Sequence, residues 1–448
     1  MVAELEYYDT NIPCLAACPV HTNAGMYVAA IADGDDELAY LTARLPNPFA
    51  SVCGRVCAAP CEDACRRGAI DRPIAIRALK RFVTEQFGPE HGDSTAWEQV
   101  AAPPTVERDE SIGVIGGGPA GMACAHDLRK HGYQVTVYEA TDKLGGAMWL
   151  GIPEHRLDRG VLQSDIDANV NHGVEVNYDT RLGHDVTFDQ LMDRHDALFL
   201  GIGATLGRGL DIEGAEADGV FKAIEFLINM NRGFSVDVGE RVVVIGGGDV
   251  AMDAARTALR ASEYRNAPDD ATLDDAALDD DDVSADQRSA MIEAIDVARS
   301  ATRAGAREVT VISLEARDEM PAHDFEIEEA EHEGIDFVAR RGPKHIVVEN
   351  GRVVGIDTVG VRSVFDDEGR FAPVFDDDDR SVFDADTVIL AIGQAIDLDA
   401  LGANGPEVSP RRTIQIDNDT GTTSMPDVWS GGDAAKGPRT LIDAIADG

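Results

Sequence analysis

Lysine is nearly missing from this chain. Six residues (Lys80, Lys130, Lys143, Lys222, Lys344 and Lys436) stand among 39 basic side chains, against 82 Asp and Glu. The formal net charge of −43 repels nucleic acid and anionic membranes, so neither is expected as a partner. Long apolar runs are missing too. None approaches the roughly 18 residues of a membrane span. The acidic stretch Met1–Ile12 lacks the apolar core of a secretory leader, so a soluble, cytoplasmic protein is expected. Aromatics make up only 6%. Acidity with few aromatics also marks disorder, but periodic apolar segments run through most of the chain. The charge is therefore read as a surface adapted to molar salt, where screening over about 3 Å removes most self-repulsion. A halophile is expected, with a fold that loosens at low salt.

Cysteine is scarce beyond the first 65 residues, where only Cys124 occurs; Cys14, Cys18, Cys53, Cys57, Cys61 and Cys65 precede it. Without an export signal, such clustering favours metal ligation over disulfides. The run Cys53-x3-Cys57-x3-Cys61-x3-Cys65 could line one helical face, but Pro60 interrupts a helix there. Cys53 and Cys57 are accordingly placed in a loop, and Cys61 and Cys65 on a helix. With Cys14 and Cys18-Pro19 there are thiols enough for an iron–sulfur cluster; zinc ligation or plain core packing stays open.

A chain of 448 residues has room for two or three domains. The first 106 residues read as helical, with apolar spacing over Met26–Ile31, Leu38–Leu45 and Ile74–Phe87 and a linker at Ala101–Thr105. A βαβ opening follows: strand Ser111–Ile115, a glycine turn, helix Met122–Lys130 and strand Gln134–Tyr138. Asp196–Leu200 is another buried strand, ending in Gly201-Ile-Gly203. A second opening starts at Arg241–Ile245 with a helix from Val250, yet its next strand, Glu308–Ile312, lies far downstream. Asp253–Arg260 is echoed by Asp296–Arg303, and an Asp-rich segment around Leu278–Val283 lies between them. This reads as a solvated acidic insertion at about 261–300. Strand Thr387–Ile392 precedes Gly393, and Asp427–Asp433 leads to a helix near Thr440. That helix is short at Gly448, so the natural polypeptide is expected to continue or its end to be held by a partner.

Two glycine patterns carry the chemistry. Gly116-Gly-Gly118-Pro119-Ala120-Gly121 follows an apolar strand and opens a helix, and Glu139 ends the next strand 18 residues after Gly121. Glycines permit a tight turn and close approach to a pyrophosphate, the helix N-terminus stabilises its charge, and the acid accepts from a ribose. Gly246-Gly-Gly248-Asp249-Val250-Ala251 repeats the arrangement. Two such units imply two different dinucleotides, hence a relay rather than a simple dehydrogenase.

Over nearly its whole length the sequence resembles the small subunit of glutamate synthase and the N-terminal half of dihydropyrimidine dehydrogenase. The matching stretches are Cys18-Pro-Val, Gly54-Arg-Val-Cys57, Pro60-Cys61-Glu62 and Cys65, Gly116–Gly121, Gly145-Gly-Ala-Met148, Gly151-Ile-Pro153 and Arg156-Leu157. Gly246–Ala251, Glu319-Met-Pro-Ala322, Ala391-Ile-Gly-Gln394, Gly431-Gly-Asp433 and Gly437-Pro438 match as well. The resemblance implies an α/β fold of two Rossmann-like dinucleotide-binding domains, glutathione-reductase-like, with the NAD(P) domain inserted in the FAD domain and an α-helical iron–sulfur domain in front. The expected boundaries are 1–106 for the iron–sulfur domain, 107–210 and 387–448 for the FAD domain, and 211–386 for the NAD(P) domain.

By the same resemblance, Gly145, Gly146, Met148, Ile152 and Arg156 lie along FAD together with Gly203 and Gly432. Asp433 holds its ribityl or pyrophosphate part, and the helix at Thr440 turns its positive end to the flavin. Gly393 joins the cofactor-binding set. The family's domain holds two 4Fe–4S clusters, but two cysteines that normally precede the position of Cys14 are lacking. One cluster is therefore expected and a second stays open, with Cys18, Cys57 and Cys61 as ligands, a fourth from Cys53 or Cys65, and Cys14 spare. NADPH-using relatives carry an arginine pair after the strand corresponding to Glu308–Ile312; here Leu314 and Glu315 stand there. A carboxylate binds a ribose diol and repels a 2′-phosphate, so NADH is expected over NADPH, although Arg317 is near.

The implied function is electron transfer from NAD(P)H through FAD and the cluster to a partner protein or larger catalytic subunit. The hydride step requires no acid–base side chain, so no catalytic residue is assigned. A docking subunit without its own substrate is an alternative. A thioredoxin-reductase-like disulfide reductase is another, but it needs a cysteine pair beside the flavin, and Cys124 is single. Glutamate synthase activity itself requires a large subunit.

Overall fold

The computed structural model describes residues 11–100, 104–234, 236–261 and 306–448. Nearly all of the acidic insertion expected at 261–300, with the echo at 296–303, lies outside the described residues, as does most of the expected linker.

The strands that read as continuous apolar runs are central in parallel sheets, where both faces are covered. Ser111–Ile115 and Gln134–Tyr138 form as expected and pair in register. Their sheet runs Val428–Ser430, Ala197–Leu200, Ser111–Ile115, Gln134–Tyr138, Glu175–Asn177, all parallel. Arg241–Ile245 and Glu308–Ile312 build a second parallel sheet in the order Val220–Lys222, Thr387–Leu390, Arg241–Ile245, Glu308–Ile312, Asp336–Val338.

The chain leaves the first unit after Thr205 and rejoins it at Ala395, so Leu206–Gln394 is inserted. The expected boundary at 386/387 moves accordingly. Thr387–Leu390 bonds to Arg241–Ile245 on one side and Val220–Lys222 on the other. It is buried at all four positions and completes the second sheet rather than the first. The inserted unit also holds an antiparallel sheet that the sequence reading lacked: Arg341–Glu349, Arg352–Phe365 and Phe371–Asp384.

In the helical N-terminal part, Ala24–Asp33 and Asp36–Arg44 are N-capped by Asn23 and Asp35, whose carbonyl or carboxylate oxygens accept from Met26 and Leu38 amides at 3.0 and 3.1 Å. Such caps satisfy donors that the helix itself leaves free. The cysteine run is arranged differently from expectation. Cys53 lies inside helix Ala50–Val56 and Cys57 caps its C-terminus, not in a loop. Pro60 starts a new four-residue helix, Pro60–Asp63, which holds Cys61 and ends before Cys65. Proline is tolerated at a first helical turn, so it begins a helix here instead of breaking one.

This part is joined to the first sheet's unit by buried polar bonds. From helix Arg159–Val170, Asp165 accepts from the Val52 amide at 3.0 Å. Arg44, 1% exposed, donates to Asn169 Oδ1 at 2.8 Å and to the Asn47 carbonyl at 3.0 Å. Cys18, Cys53 and Cys57 share an apolar core with Val114, Met148, Leu162 and Ile442.

Candidate functional site: two glycine cradles and a thiol pocket

At the first cradle, backbone passes backbone with no room for a side chain. Gly116 has φ +99°, and a Cβ there would lie 2.4 Å from the Gly201 carbonyl oxygen. A Cβ on Gly121 would lie 1.9 Å from the Gly116 oxygen. Gly118 differs: nothing comes nearer than 3.9 Å to its Cβ position, and it caps helix Pro119–Lys130. The cradle is thus sealed behind and open in front, at a helix N-terminus, as a pyrophosphate requires. Buried Glu139 is fixed beside it, accepting from the Gly117 amide at 2.9 Å and from Thr141 N and Oγ1 at 2.9 and 2.8 Å. A carboxylate has about four acceptor positions, so capacity is left for a ribose hydroxyl.

The neighbouring loop packs on this turn, with the Gly145 amide donating to the Gly117 carbonyl at 2.8 Å and a Cβ on Gly146 excluded by Gly118 Cα at 2.7 Å. Met148, expected along the cofactor, is wholly buried in the core, so its side chain packs behind that loop. Ile152 and Arg156 are half-buried on the turn that follows. Arg159, which no motif in the sequence marks, pins this turn by donating to the Met148 and Ile152 carbonyls at 3.1 and 2.8 Å. Gly203 follows the strand Ala197–Leu200 with open space at its Cβ position. Gly432 abuts Ala120, their Cβ positions 2.9 Å apart. Burial pushes the Asp433 carboxyl up to about 6, opposed by its bond from the Arg439 amide. Thr440 caps Leu441–Asp447 through a reciprocal capping box with Asp443. Carboxylate, glycine turn and open helix N-terminus together fit a dinucleotide such as FAD.

The second cradle repeats the first. A Cβ on Gly246 would lie 2.3 Å from the Ala391 oxygen, whereas Gly248 is open. Glu315 Oε2 stands 3.1 Å from the Cβ position of Gly247, and Glu139 Oε2 stands 3.1 Å from that of Gly117. A strap holds the turn: the Ala322 amide donates to Gly247 O at 2.9 Å, and Asp249 accepts from the His323 amide at 2.9 Å. Val250 is half-buried and Gly393 exposed beside Arg208. Arg317 is ion-paired to Glu331 at 2.8 Å and Arg340 to Glu319 at 2.6 Å.

Of the six clustered cysteines, Cys18, Cys53 and Cys57 share one apolar core, and Cys14 and Cys61 pack against another, which holds Tyr27. Burial chiefly raises the Tyr27 phenol, with Cys61, Cys18 and Cys57 adding to the rise, and the phenol donates to Ile76 O at 3.1 Å. Cys57 is held down to about 6 by the hydrogen bond from Cys53, with Lys80, the Ala59 amide and Arg77 adding to the effect. Cys53 is correspondingly raised, and burial pushes Cys61 up to about 12. Cys14 and Cys65 are half-buried. Among the described residues, no three His, Cys, Asp or Glu side chains converge on a single-ion site. Buried and half-buried cysteines carried on adjoining segments suit a cluster of several irons, each with its own thiolate. Cys124 is free and buried, and burial raises it to about 12, the state of an inert thiol.

Residues 110–448 match the family described as pyridine nucleotide-disulphide oxidoreductase, and residues 8–91 match dihydropyrimidine dehydrogenase domain II, 4Fe-4S cluster. The chain belongs to the pyridine nucleotide-disulphide oxidoreductase family and carries a 4Fe–4S domain ahead of the FAD/NAD(P) fold. Within it, the chain is glutamate synthase small subunit-like. It is 31% identical over 89% of its length to the putative glutamate synthase [NADPH] small chain of Cereibacter sphaeroides, covering 88% of that protein. It is 36% identical over 97% of its length to the NADP(+)-dependent formate dehydrogenase subunit beta of Moorella thermoacetica, of which it spans only 58%. FprA of Mycobacterium tuberculosis, solved in complex with NADPH, shares the fold with a TM-score of 0.60 at 20% identity, over 76% of this chain and 83% of that one. Among the described residues no helix is long and apolar enough to cross a membrane.

Proposed function

We propose that this chain is an electron-input oxidoreductase that passes reducing equivalents from NAD(P)H, with FAD and one 4Fe–4S cluster as carriers, to a partner protein or larger catalytic subunit. The observation that carries this reading is the pair of matched cradles, Gly117 with Glu139 and Gly247 with Glu315, in one chain with the thiol pocket. FAD, when bound, supplies the exchange between a two-electron donor and one-electron acceptors. The protein's own residues bind and orient: Glu139 takes a ribose hydroxyl, and Asp433 and the Thr440 cap face the other end of the same carrier. Cys18, Cys57 and Cys61 are the cluster ligands, with the fourth from Cys53 or Cys65. Relatives named as subunits of larger enzymes support a partner. Seven free thiols and the acidic composition suit a reducing cytoplasm at molar salt. The test is anaerobic purification in high salt: a flavin spectrum, about four irons and four sulfides per chain, and bleaching by NADH. Cys57→Ser should lose most of the iron and keep the flavin. Flavin without iron in the parent chain removes the cluster from the scheme.

NADH is the favoured donor, against the NADP in the relatives' names. Glu315 occupies the position over its glycine turn that Glu139 takes over the other, and both nearby arginines are already paired with carboxylates. Hydrogen bonds to charged groups contribute about 1.5–3 kcal/mol. Glu315→Ala should therefore cut kcat/KM for NADH roughly tenfold or more and leave NADPH level or improved. A parent enzyme that prefers NADPH would refute the assignment.

A further inference from the structure

Directly after Cys65 the chain reverses its charge. Residues 66–82 carry six basic side chains (Arg66, Arg67, Arg72, Arg77, Lys80 and Arg81) and a single acid, Asp71, in a chain where acids outnumber bases 82 to 39. The leading part of this segment is an ordered surface loop. Its 3-10 turn, Arg66–Ala69, is closed by the Gly68 amide donating to Cys65 O at 2.9 Å. The Ile70 and Asp71 amides donate to Arg67 O at 2.8 and 3.1 Å. Arg67 also grips Asp71 through two parallel bonds of 2.9 and 2.7 Å, a fork geometry that fixes the loop. The only acid is thereby engaged within the loop. Arg66 and Arg72 are exposed, and among the described residues the loop's ion pair is Arg67 with Asp71. Between these two arginines Ile70 is 85% exposed, more than any other large apolar side chain described.

A single exposed apolar side chain is ordinary. One held on a fixed turn between two unpaired arginines has the makeup of a docking anchor, because the loop is ordered before any contact forms. Charge then selects the partner. Surfaces of like sign repel at contact, so an acidic protein is turned away from most of this chain and admitted where the sign reverses. A basic protein would meet the opposite: attraction almost anywhere else and repulsion here. The loop also begins at Cys65, which caps its turn, and Cys61 lies on the short helix just before it. A protein seated there stands beside the cysteines.

We infer that loop 66–72 is the docking site of an acidic redox protein, with Ile70 entering an apolar hollow and Arg66 and Arg72 meeting the carboxylates around it. The inference rests on the electron-transfer reading and deepens it by naming where the partner sits and the chemistry of its surface. At molar salt, screening over about 3 Å leaves only charges in contact to act, and Ile70 supplies a contact that salt does not screen.

The experiment uses full-length parent, Arg66→Glu/Arg72→Glu, Ile70→Ser, and an Arg411→Glu/Arg412→Glu control that changes the net charge equally at another exposed site. Each is immobilised, and binding of a purified acidic 2Fe–2S ferredoxin is measured at the lowest salt at which the parent keeps its melting temperature. Basic cytochrome c, anionic vesicles and duplex DNA are run beside it. The parent should bind ferredoxin, and both loop variants should bind it roughly tenfold or more weakly. The control should bind like the parent, while iron content, melting temperature and NADH-driven ferricyanide reduction stay level in all four proteins. The inference is overturned if the parent does not bind ferredoxin, if the loop variants bind like the parent, or if the control loses as much. It is also overturned if the loop variants lose iron, which would make the loop a scaffold, or if the loop binds vesicles or DNA instead. A parent that does not reduce ferricyanide with either nicotinamide overturns the oxidoreductase reading itself, and the binding comparison is scored apart from it.

Discussion

Gly121→Ala should yield a chain that purifies with little or no flavin and melts well below the parent. The added Cβ would stand 1.9 Å from the Gly116 carbonyl oxygen, and neither partner is a side chain that can turn aside. Relief requires helix Pro119–Lys130 to move off strand Ser111–Ile115, which opens the turn that faces the cofactor. Overpacking a well-packed site costs typically about 1–3 kcal/mol when side chains can adjust; backbone against backbone belongs at or beyond the upper end. Gly118→Ala is the matched contrast. Its Cβ meets nothing within 3.9 Å, so the protein should melt with the parent while flavin affinity falls, because the methyl enters the space left for the ligand. The measurements are the ratio of flavin to protein absorbance and the melting temperature. A Gly121→Ala protein with full flavin would show that this turn is not the FAD cradle.

The contrast shows what a sequence makes legible. Strands Ser111–Ile115, Gln134–Tyr138, Arg241–Ile245 and Glu308–Ile312 were legible because burial on both faces forces unbroken apolar runs, and the glycine turns because only glycine fits them. The antiparallel sheet at 341–384 was not. Phe371–Asp384 is an edge strand exposed at most positions, and its run Asp376–Asp379 reads as a solvated loop until Arg362 and Arg341 are seen to pair with its two ends. Thr387–Leu390 was legible as a strand, but no local signal says which sheet it joins. Cys53 and Cys57 were misplaced because Pro60 was taken to end a helix it in fact begins. Arg44 and Arg159 were invisible because their partners, Asn169 Oδ1 for one and the Met148 and Ile152 carbonyls for the other, lie outside the helix that carries each, and long polar side chains within helices read first as solvent-facing.

Arg44→Met should loosen the helical domain from the flavin-binding fold, costing about 3–5 kcal/mol, the range for stranding one partner of a buried charged network. Arg44 is 1% exposed and its guanidinium holds Asn47 O and Asn169 Oδ1. It also lowers the carboxyl of fully buried Asp165, which burial nonetheless raises from 3.8 to about 6, with Glu90 adding to the rise. The sign follows from linkage. The folded chain holds the Asp165 proton more tightly than the unfolded one, so the stability this group contributes is complete below about pH 4 and is lost as pH rises towards 6. Without Arg44 that carboxyl rises further, and the loss should extend to higher pH. Asp165→Asn in the Arg44→Met background should recover part of the stability at neutral pH and remove the extra pH dependence. Denaturant midpoints across pH 4 to 8, at constant high salt, measure both effects. Equal losses at every pH would mean that Arg44 acts through its two hydrogen bonds alone. A pH-dependent loss that Asp165→Asn abolishes would establish that the charge of Arg44, acting on the buried Asp165 carboxyl without a direct bond, helps hold the cluster-bearing helices against the fold that carries the flavin.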